Sequence, residues 1–267
     1  MSKQLTPGEI FDRAVEEGDR RLDQSALELV STSFIAGFTV LFGIVALGIV
    51  EGLVEPAVGH AAKVAGALAF APGLVFLVAG QTELFNENFS DPAAAAVERG
   101  VAALPSLLRL WALTFVFNLL GGGLLALVFA VEGAIPPAGA DALQRFAEET
   151  AHRPAHTWFT RGVAGGALVS LLSFLVVSVR SDGSRLWLAY AVGFLLALGP
   201  FDHVVVSVLH LVLGRLLGAA VGWGTLGALT AVVTAGNFVG GLGLVTVTHV
   251  TQAMGADTAG ESGESEE

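Results

Sequence analysis

Cysteine is absent from the chain. Disulfide staples, thiolate metal sites and thiol nucleophiles are excluded with it. Charge is also scarce: 14% of 267 residues is too little to cover a soluble domain of that length. Lysine is limited to Lys3 and Lys63, the other eleven basic residues being arginine. A GC-rich coding sequence and a salt-loving source explain that shortage equally well. The first 25 residues are polar and acidic, so the basic-then-apolar pattern of a secretory signal is missing. The net charge of −11 sits mostly at the two ends with no basic stripe to offset it, so nucleic acid is not an expected partner. No zinc motif, Gly-x-Ser-x-Gly or phosphate loop occurs, so neither an enzyme nor a metal or cofactor site is expected.

Apolar residues are plentiful, at 54% with a mean hydropathy of +0.72, and they come in long blocks. A bilayer core needs roughly 20 apolar residues per helix. Six segments meet that need, at about 28–52, 62–80, 104–131, 158–179, 186–217 and 223–250. The expected fold is therefore an all-α membrane protein with six transmembrane helices and the lipid bilayer as its surroundings. Three regions are expected: an N-terminal amphipathic interfacial helix in 1–25, a transmembrane domain over 26–252, and a disordered acidic tail at 253–267. Within the first, Thr6 and Glu9 have capping-box spacing, with Pro7 at the first helical position. The stretch 132–157, with Pro136 and Pro137, is expected as a polar connection, and 180–185 as a tight turn. With the N-terminus inside, eight basic residues fall on the inner side and five on the outer, which favours both termini in the cytoplasm of a plasma-membrane protein.

Two segments are interrupted. The second loses its apolar character over Gln81-Thr82-Glu83-Leu84-Phe85-Asn86-Glu87-Asn88, and the fifth over Gly199-Pro200-Phe201-Asp202-His203. The halves also resemble each other. Asn118-Leu-Leu-Gly121-Gly122 matches Asn237-Phe-Val-Gly240-Gly241, and Ala36-Gly37 pairs with Ala164-Gly165. Phe85 lies 33 residues before Asn118, and Phe201 lies 36 before Asn237. Two halves of three spans each imply an inverted 3+3 repeat, with broken helices 2 and 5 meeting near the midplane. A break facing lipid would leave unpaired backbone groups at several kcal/mol each, so paired breaks point to a path through protein.

These residues resemble the formate/nitrite transporter family. Gly80-Gln-Thr-Glu-Leu84-Phe85-Asn86-Glu87-Asn88 looks like its signature around a Leu-Phe-Thr core in helix 2. Phe201-Asp202-His203 followed by Ser207 looks like its Phe-Glu-His and Asn motif in helix 5, and the two Asn-x-x-Gly elements look like those of helices 3 and 6. The match spans about 26–250, and its Glu-Asn extension resembles a divergent, less-studied branch. The resemblance implies an aquaporin-like protomer, a homopentamer, and one pore per protomer for small monovalent weak-acid anions such as formate, nitrite or hydrosulfide. It also implies two apolar constrictions around a central His. Asn86 stands where the family has Thr, Asp202 where it has Glu, Ser207 where it has Asn, and Arg153 where it has a vestibule Lys.

His203 is the leading path residue, because an ionisable group inside a membrane segment is functional by default. Asn86, Asn118, Asn237 and Arg153 complete the expected path, with Asn86 bonded to His203 or the anion and the other two asparagines tying the breaks or lining the wall. Phe70, Leu74, Leu196 and Phe201 are the candidate constrictions, with packed core as the alternative for each. Glu83, Phe85, Glu87, Asp202 and Ser207 are expected to stabilise or cap the breaks. His210, about two turns beyond His203, is either a second path residue or a packed helix residue. A neutral-solute pore and a non-conducting structural or sensory subunit are the other functions the pattern allows.

Overall fold

The computed structural model describes residues 5–252 and Gly255. Of the acidic tail expected at 253–267, all but Gly255 lies outside the described residues. Among the described residues the protein is helical, with no strand.

Helix α1 (Pro7–Leu22) opens with the expected capping box, Thr6 and Glu9 each satisfying the other's backbone N–H. Its apolar stripe is spent on protein: Ala14, Val15, Gly18 and Leu22 are buried, and Gly18 lies against the backbone of Asp91. Helix α2 (Ala26–Val58) ends at Gly59, whose φ of +57° suits glycine and lets the chain reverse. Helices α3 (Ala62–Phe70) and α4 (Pro72–Ala79) return along α2, separated at Pro72, which has no N–H to give the ladder.

The first break follows. It runs from Gly80 to Ser90 and contains a single 3₁₀ turn at Phe85–Asn88. Helix α5 (Asp91–Arg99) and helix α6 (Leu104–Phe129) complete the first half. The stretch expected as a polar connection folds instead as helix α7 (Pro137–Ala151). Its period is legible once Ala142, Leu143, Ala147 and Thr150 are seen to be buried, but prolines at its start disguise it. Helix α8 (Ala155–Ser178) is followed by α9 (Asp182–Leu198), which begins inside the expected tight turn because Ser181 caps it. The second break, Gly199–His203, leads to α10 (Val204–Leu216). Helix α11 (Trp223–Phe238) continues as a wider π-helical turn over Val239–Thr246.

Four helical runs, 26–79, 101–129, 155–178 and 223–252, are long and apolar enough to cross a membrane, and α10 is a shorter apolar helix. The first of them contains the reversal at Gly59. Large apolar side chains such as Phe42, Leu53, Phe76, Leu108, Leu124 and Leu127 face outward, as lipid-facing helices require.

The halves repeat one another contact by contact. A Cβ on Gly37 would meet the backbone of Asn118, and one on Gly166 the backbone of Asn237. Gly121 lies against the Phe34 carbonyl as Gly240 does against that of Val163. Gly37 therefore pairs with Gly166, one residue away from the expected Gly165. The matched backbone approach, rather than the Ala-Gly dipeptide, sets that register.

Candidate functional site

A broken helix inside protein must find partners for its freed backbone groups. Two buried asparagines supply them. Asn118 Oδ1 accepts from the Phe85 N–H at 3.0 Å, and its Nδ2 donates to the carbonyls of Glu83 at 2.9 Å and Ser33 at 2.8 Å. Asn237 repeats this at the second break. Its Oδ1 accepts from the Val204 N–H at 2.9 Å, and its Nδ2 donates to the carbonyls of Asp202 at 2.8 Å and Gly162 at 2.7 Å. The separations agree too: 33 residues to the donor and 35 to the acceptor in both halves. Phe85 thus corresponds to Val204, not to Phe201, and Glu83 to Asp202. Of the two roles expected for these asparagines, tying the breaks is the one their bonds fill. Both amide N–H groups of each asparagine are taken up by these backbone carbonyls.

The two breaks meet at Asn86. Its Nδ2 donates to Asn237 Oδ1 at 2.7 Å, and its carbonyl accepts from Ser170 Oγ at 3.2 Å. Its expected bond to His203 is replaced by this bond across the halves, although its own Oδ1 is buried without a partner. Phe85 turns its ring into an aromatic cluster, 4.9 Å from Phe89, 5.0 Å from Phe115 and 5.8 Å from Phe238 between centroids. It packs the first break by its side chain and closes it by its backbone N–H.

The cap of α10 is His203 rather than Asp202. His203 Nδ1 accepts from the Val205 N–H at 3.1 Å and that of Val206 at 3.4 Å. An imidazole nitrogen that accepts carries no proton, so the neutral ring bears its proton on Nε2. That Nε2 is buried and has no hydrogen-bond partner, and the residue is 1% exposed. Asp202 faces the other way, toward two arginines: Arg161 Nε at 3.1 Å and Arg153 Nη1 at 3.7 Å. Burial and the neighbouring Arg161 charge lower the pKa of Arg153, with Asp202 acting in the opposite sense.

Glu83 is the counterpart of Asp202 and is held the same way. Arg20 Nη2 lies 3.3 Å and Arg21 Nε 3.7 Å from its carboxylate, and Gln24 Nε2 donates to it at 3.0 Å. Arg21 also donates to the carbonyl of Glu87 at 3.0 Å, so Glu87 is bound into the break by its backbone. Both arginines are fixed by Glu17. Burial works to raise the Glu17 pKa, but the hydrogen bond from Arg20 and the charges of Arg21 and Arg20 outweigh it, lowering the carboxyl to about 2. Among the described residues no cluster of three or more acidic or histidine side chains could hold a metal.

Two cavities flank the crossing. On the α1 side a cavity of about 260 Å³ is lined by Leu77, Thr82, Glu83 and Glu87 together with Glu17, Arg20 and Arg21. On the α7 side one of about 40 Å³ is lined by Phe70, Leu196, Phe201, Asp202, Ser207, Arg161 and His210. Three of the four expected constriction residues therefore share one cavity wall. Leu74 lines neither cavity and is fully buried in the core. Ser207 faces the cavity, and its N–H bonds the His203 carbonyl at 2.8 Å within α10. His203 lines neither cavity.

Sequence reasoning missed Arg161, Arg20 and Arg21 as partners of the break carboxylates. Arg161 had a signal, being an arginine inside the fourth apolar segment. The α1 arginines had none, since only the docking of α1 brings them to Glu83.

A family model described as formate/nitrite transporter matches residues 8–251. The chain is 28% identical over 235 residues to a probable formate transporter of Methanothermobacter thermautotrophicus, covering 80% of this chain and 84% of that one. It is 25% identical over 184 residues to the uncharacterized transporter YwcJ of Bacillus subtilis (strain 168), covering 68% and 72%. It is 21% identical over 199 residues to inner membrane protein YfdC of Escherichia coli (strain K12), covering 74% of this chain but only 63% of YfdC. An FNT family ion channel of known structure superposes with a TM-score of 0.81 at 18% identity, covering 91% of this chain and 98% of that one. A pentameric formate channel with formate bound superposes with a TM-score of 0.64 at 18% identity, covering 86% and 100%. At this identity the two structures bear on the fold alone.

Proposed function

The chain belongs to the formate/nitrite transporter family, and we propose that it passes small monovalent weak-acid anions, such as formate, nitrite or hydrosulfide, through each protomer past His203. The observation that carries this reading is the arrangement at the crossing. Two breaks are bracketed alike by Asn118 and Asn237 and joined by Asn86, and one polar hydrogen, on His203 Nε2, is left without an acceptor.

The chemistry follows from the cap. Nδ1 is committed to the first turn of α10, so Nε2–H is a fixed donor aimed at whatever enters. An anion stripped of water at an apolar constriction is costly, and its conjugate acid is far cheaper to bury. A hydrogen bond from Nε2 lowers the cost of the anion, and the fraction that has taken a proton from water crosses Phe70, Leu196 and Phe201 as the neutral acid, His203 keeping its own proton. Arg153 and Arg161 on the α7 side, and Arg20 and Arg21 on the α1 side, would raise the local anion concentration.

The same reading makes the chain an aquaporin-like inverted 3+3 repeat of six spans, assembled as a homopentamer in the plasma membrane with both termini cytoplasmic. The contact of Gly37 with Asn118 is matched by that of Gly166 with Asn237, which supports the repeat, and the count of basic residues supports the orientation.

The test is uptake of a panel of weak acids by proteoliposomes at two pH values. His203→Asn keeps an oxygen to cap α10, and its amide N–H, on a shorter side chain, falls short of the Nε2 position. Uptake should be lost in His203→Asn and His203→Ala while oligomers stay intact on size exclusion. Normal uptake by both variants would falsify the role given to His203.

A further inference from the structure

The α7-side cavity carries a second imidazole that the central crossing does not use. His210 is 2% exposed, lines that cavity, and stacks on Phe146 with 3.8 Å between centroids and 13° between planes. Its Nε2 is buried and has no hydrogen-bond partner. A buried histidine in a packed core ordinarily satisfies its nitrogens, because an orphaned polar atom is costly. A second orphan stands close by. Arg153, whose guanidinium lies 6.0 Å from the Phe146 ring, has Nη1 buried without a hydrogen bond. The nearby carboxylate, Asp202, is already shared between Arg161 and Arg153. Arg153 lies beside Phe146, which lines the cavity, so with the His210 proton on Nε2 the wall and the arginine behind it hold donors in excess of acceptors, and an anion would restore the balance.

We propose that His210, with Ser207 one turn before it and Arg161 across the cavity, forms a second binding site for a small oxyanion or comparable weak-acid anion. The inference rests on the transport reading and deepens it. One anion oxygen takes the Nε2–H of His210 and the other faces the guanidinium, with the Ser207 hydroxyl on the same helix face. The cavity of about 40 Å³ admits only a small ion. Seven residues separate the two imidazoles, a rise of about 10 Å along the helix, so the anion waits at one before reaching the other.

The experiment uses the full chain in proteoliposomes and the panel anion that the wild type takes up fastest. His210→Phe keeps the stack on Phe146 and removes the nitrogen, whereas His210→Gln restores an N–H donor. The concentration for half-maximal uptake should rise roughly ten- to a hundredfold in His210→Phe, the worth of one hydrogen bond to a charged group. It should return to within about twofold in His210→Gln, with the maximal rate changed less than the half-saturation value in both. Unchanged half-saturation in His210→Phe overturns the inference. So does a defect that glutamine fails to rescue, which marks a structural role. Should the variants not assemble, wild-type protein with ¹⁵N-labelled histidine decides. The anion should perturb two buried imidazole signals, and a shift of the His203 signal alone overturns the second site. An inert wild type overturns the transport reading itself, which separates that failure from failure of the second site.

Discussion

The first break spans Gly80 to Ser90 and the second only Gly199 to His203, yet each hangs from one asparagine by the same three bonds. The long break needs further support. It has a 3₁₀ turn, an aromatic cluster around Phe85, the Trp111 Nε1 bond to the Asn88 carbonyl at 2.7 Å, and Arg21 reaching in from α1. The short break needs little more than the His203 cap and the bond from the Asp202 N–H to the Arg161 carbonyl. In the shared register Glu83 matches Asp202, and the next residues are Leu84 and His203. A symmetric frame thus offers two equivalent places, and only one of them holds a polar group. The frame repeats, and the His203 imidazole stands at the one place where it does not.

That comparison is tested most severely at the asparagines. Asn118→Ala leaves the Phe85 N–H and the Glu83 carbonyl of the break unpaired and strips the second bond from the helical Ser33 carbonyl, whereas Asn237→Ala does the same at the other break and also frees the Asn86 amide. Each orphan costs about 1–3 kcal/mol. Both variants should be severely destabilised, and Asn237→Ala more so by about 1 kcal/mol or greater. Thermal unfolding in detergent ranks them, and equal losses would show that Asn86 adds nothing to the crossing.

A smaller effect separates the two arginine clusters. Arg21 has a side chain 13% exposed and serves Glu17, Glu83 and the Glu87 carbonyl, whereas Arg161 is 23% exposed and bonds Asp202. Arg21→Gln should cost about 3 kcal/mol and Arg161→Gln nearer 1, since the more buried Arg21 holds three groups and Arg161 one carboxylate that keeps Arg153. The reverse order of melting temperatures would mean that α1 is only loosely docked.

The smallest effect concerns pH. Glu17 has its folded pKa lowered to about 2 from an ordinary 4.5. Its contribution is complete above the ordinary value and is lost only as pH falls through about 2. The Glu17 contribution to the docking of α1 should therefore be unchanged between pH 7 and pH 5, read as protease protection of the segment joining α1 to α2. Release between pH 7 and pH 5 would show that the Glu17 contacts with Arg20 and Arg21 do not govern the docking.

Much of this was legible beforehand. Apolar blocks mark helices whatever their partners, so the long helical runs were readable, as was the capping box at Thr6. The breaks were readable because polar residues inside such blocks are conspicuous. The α7 helix was not, because Pro136 and Pro137 look like a loop and its burial depends on packing against α2 and α10. The register between halves was misjudged by matching Phe85 with Phe201, since residue likeness says nothing about which backbone groups an asparagine reaches. The role of Asp202 was misjudged for a related reason. A carboxylate before a helix suits a cap, but two arginines distant in sequence claimed it and left the cap to His203.

By itself the sequence determined the helical, membrane-spanning character, the two interruptions and the presence of an imidazole at the second. Those follow from the length of apolar runs and from what a bilayer tolerates, which are local properties. Only the tertiary structure decided which nitrogen of His203 stays free, that Glu83 and Asp202 each hold two arginines, and that His210 faces a cavity. Hydrogen bonds and ion pairs act over a few ångströms, and residues far apart in the chain come that close only once the helices have packed.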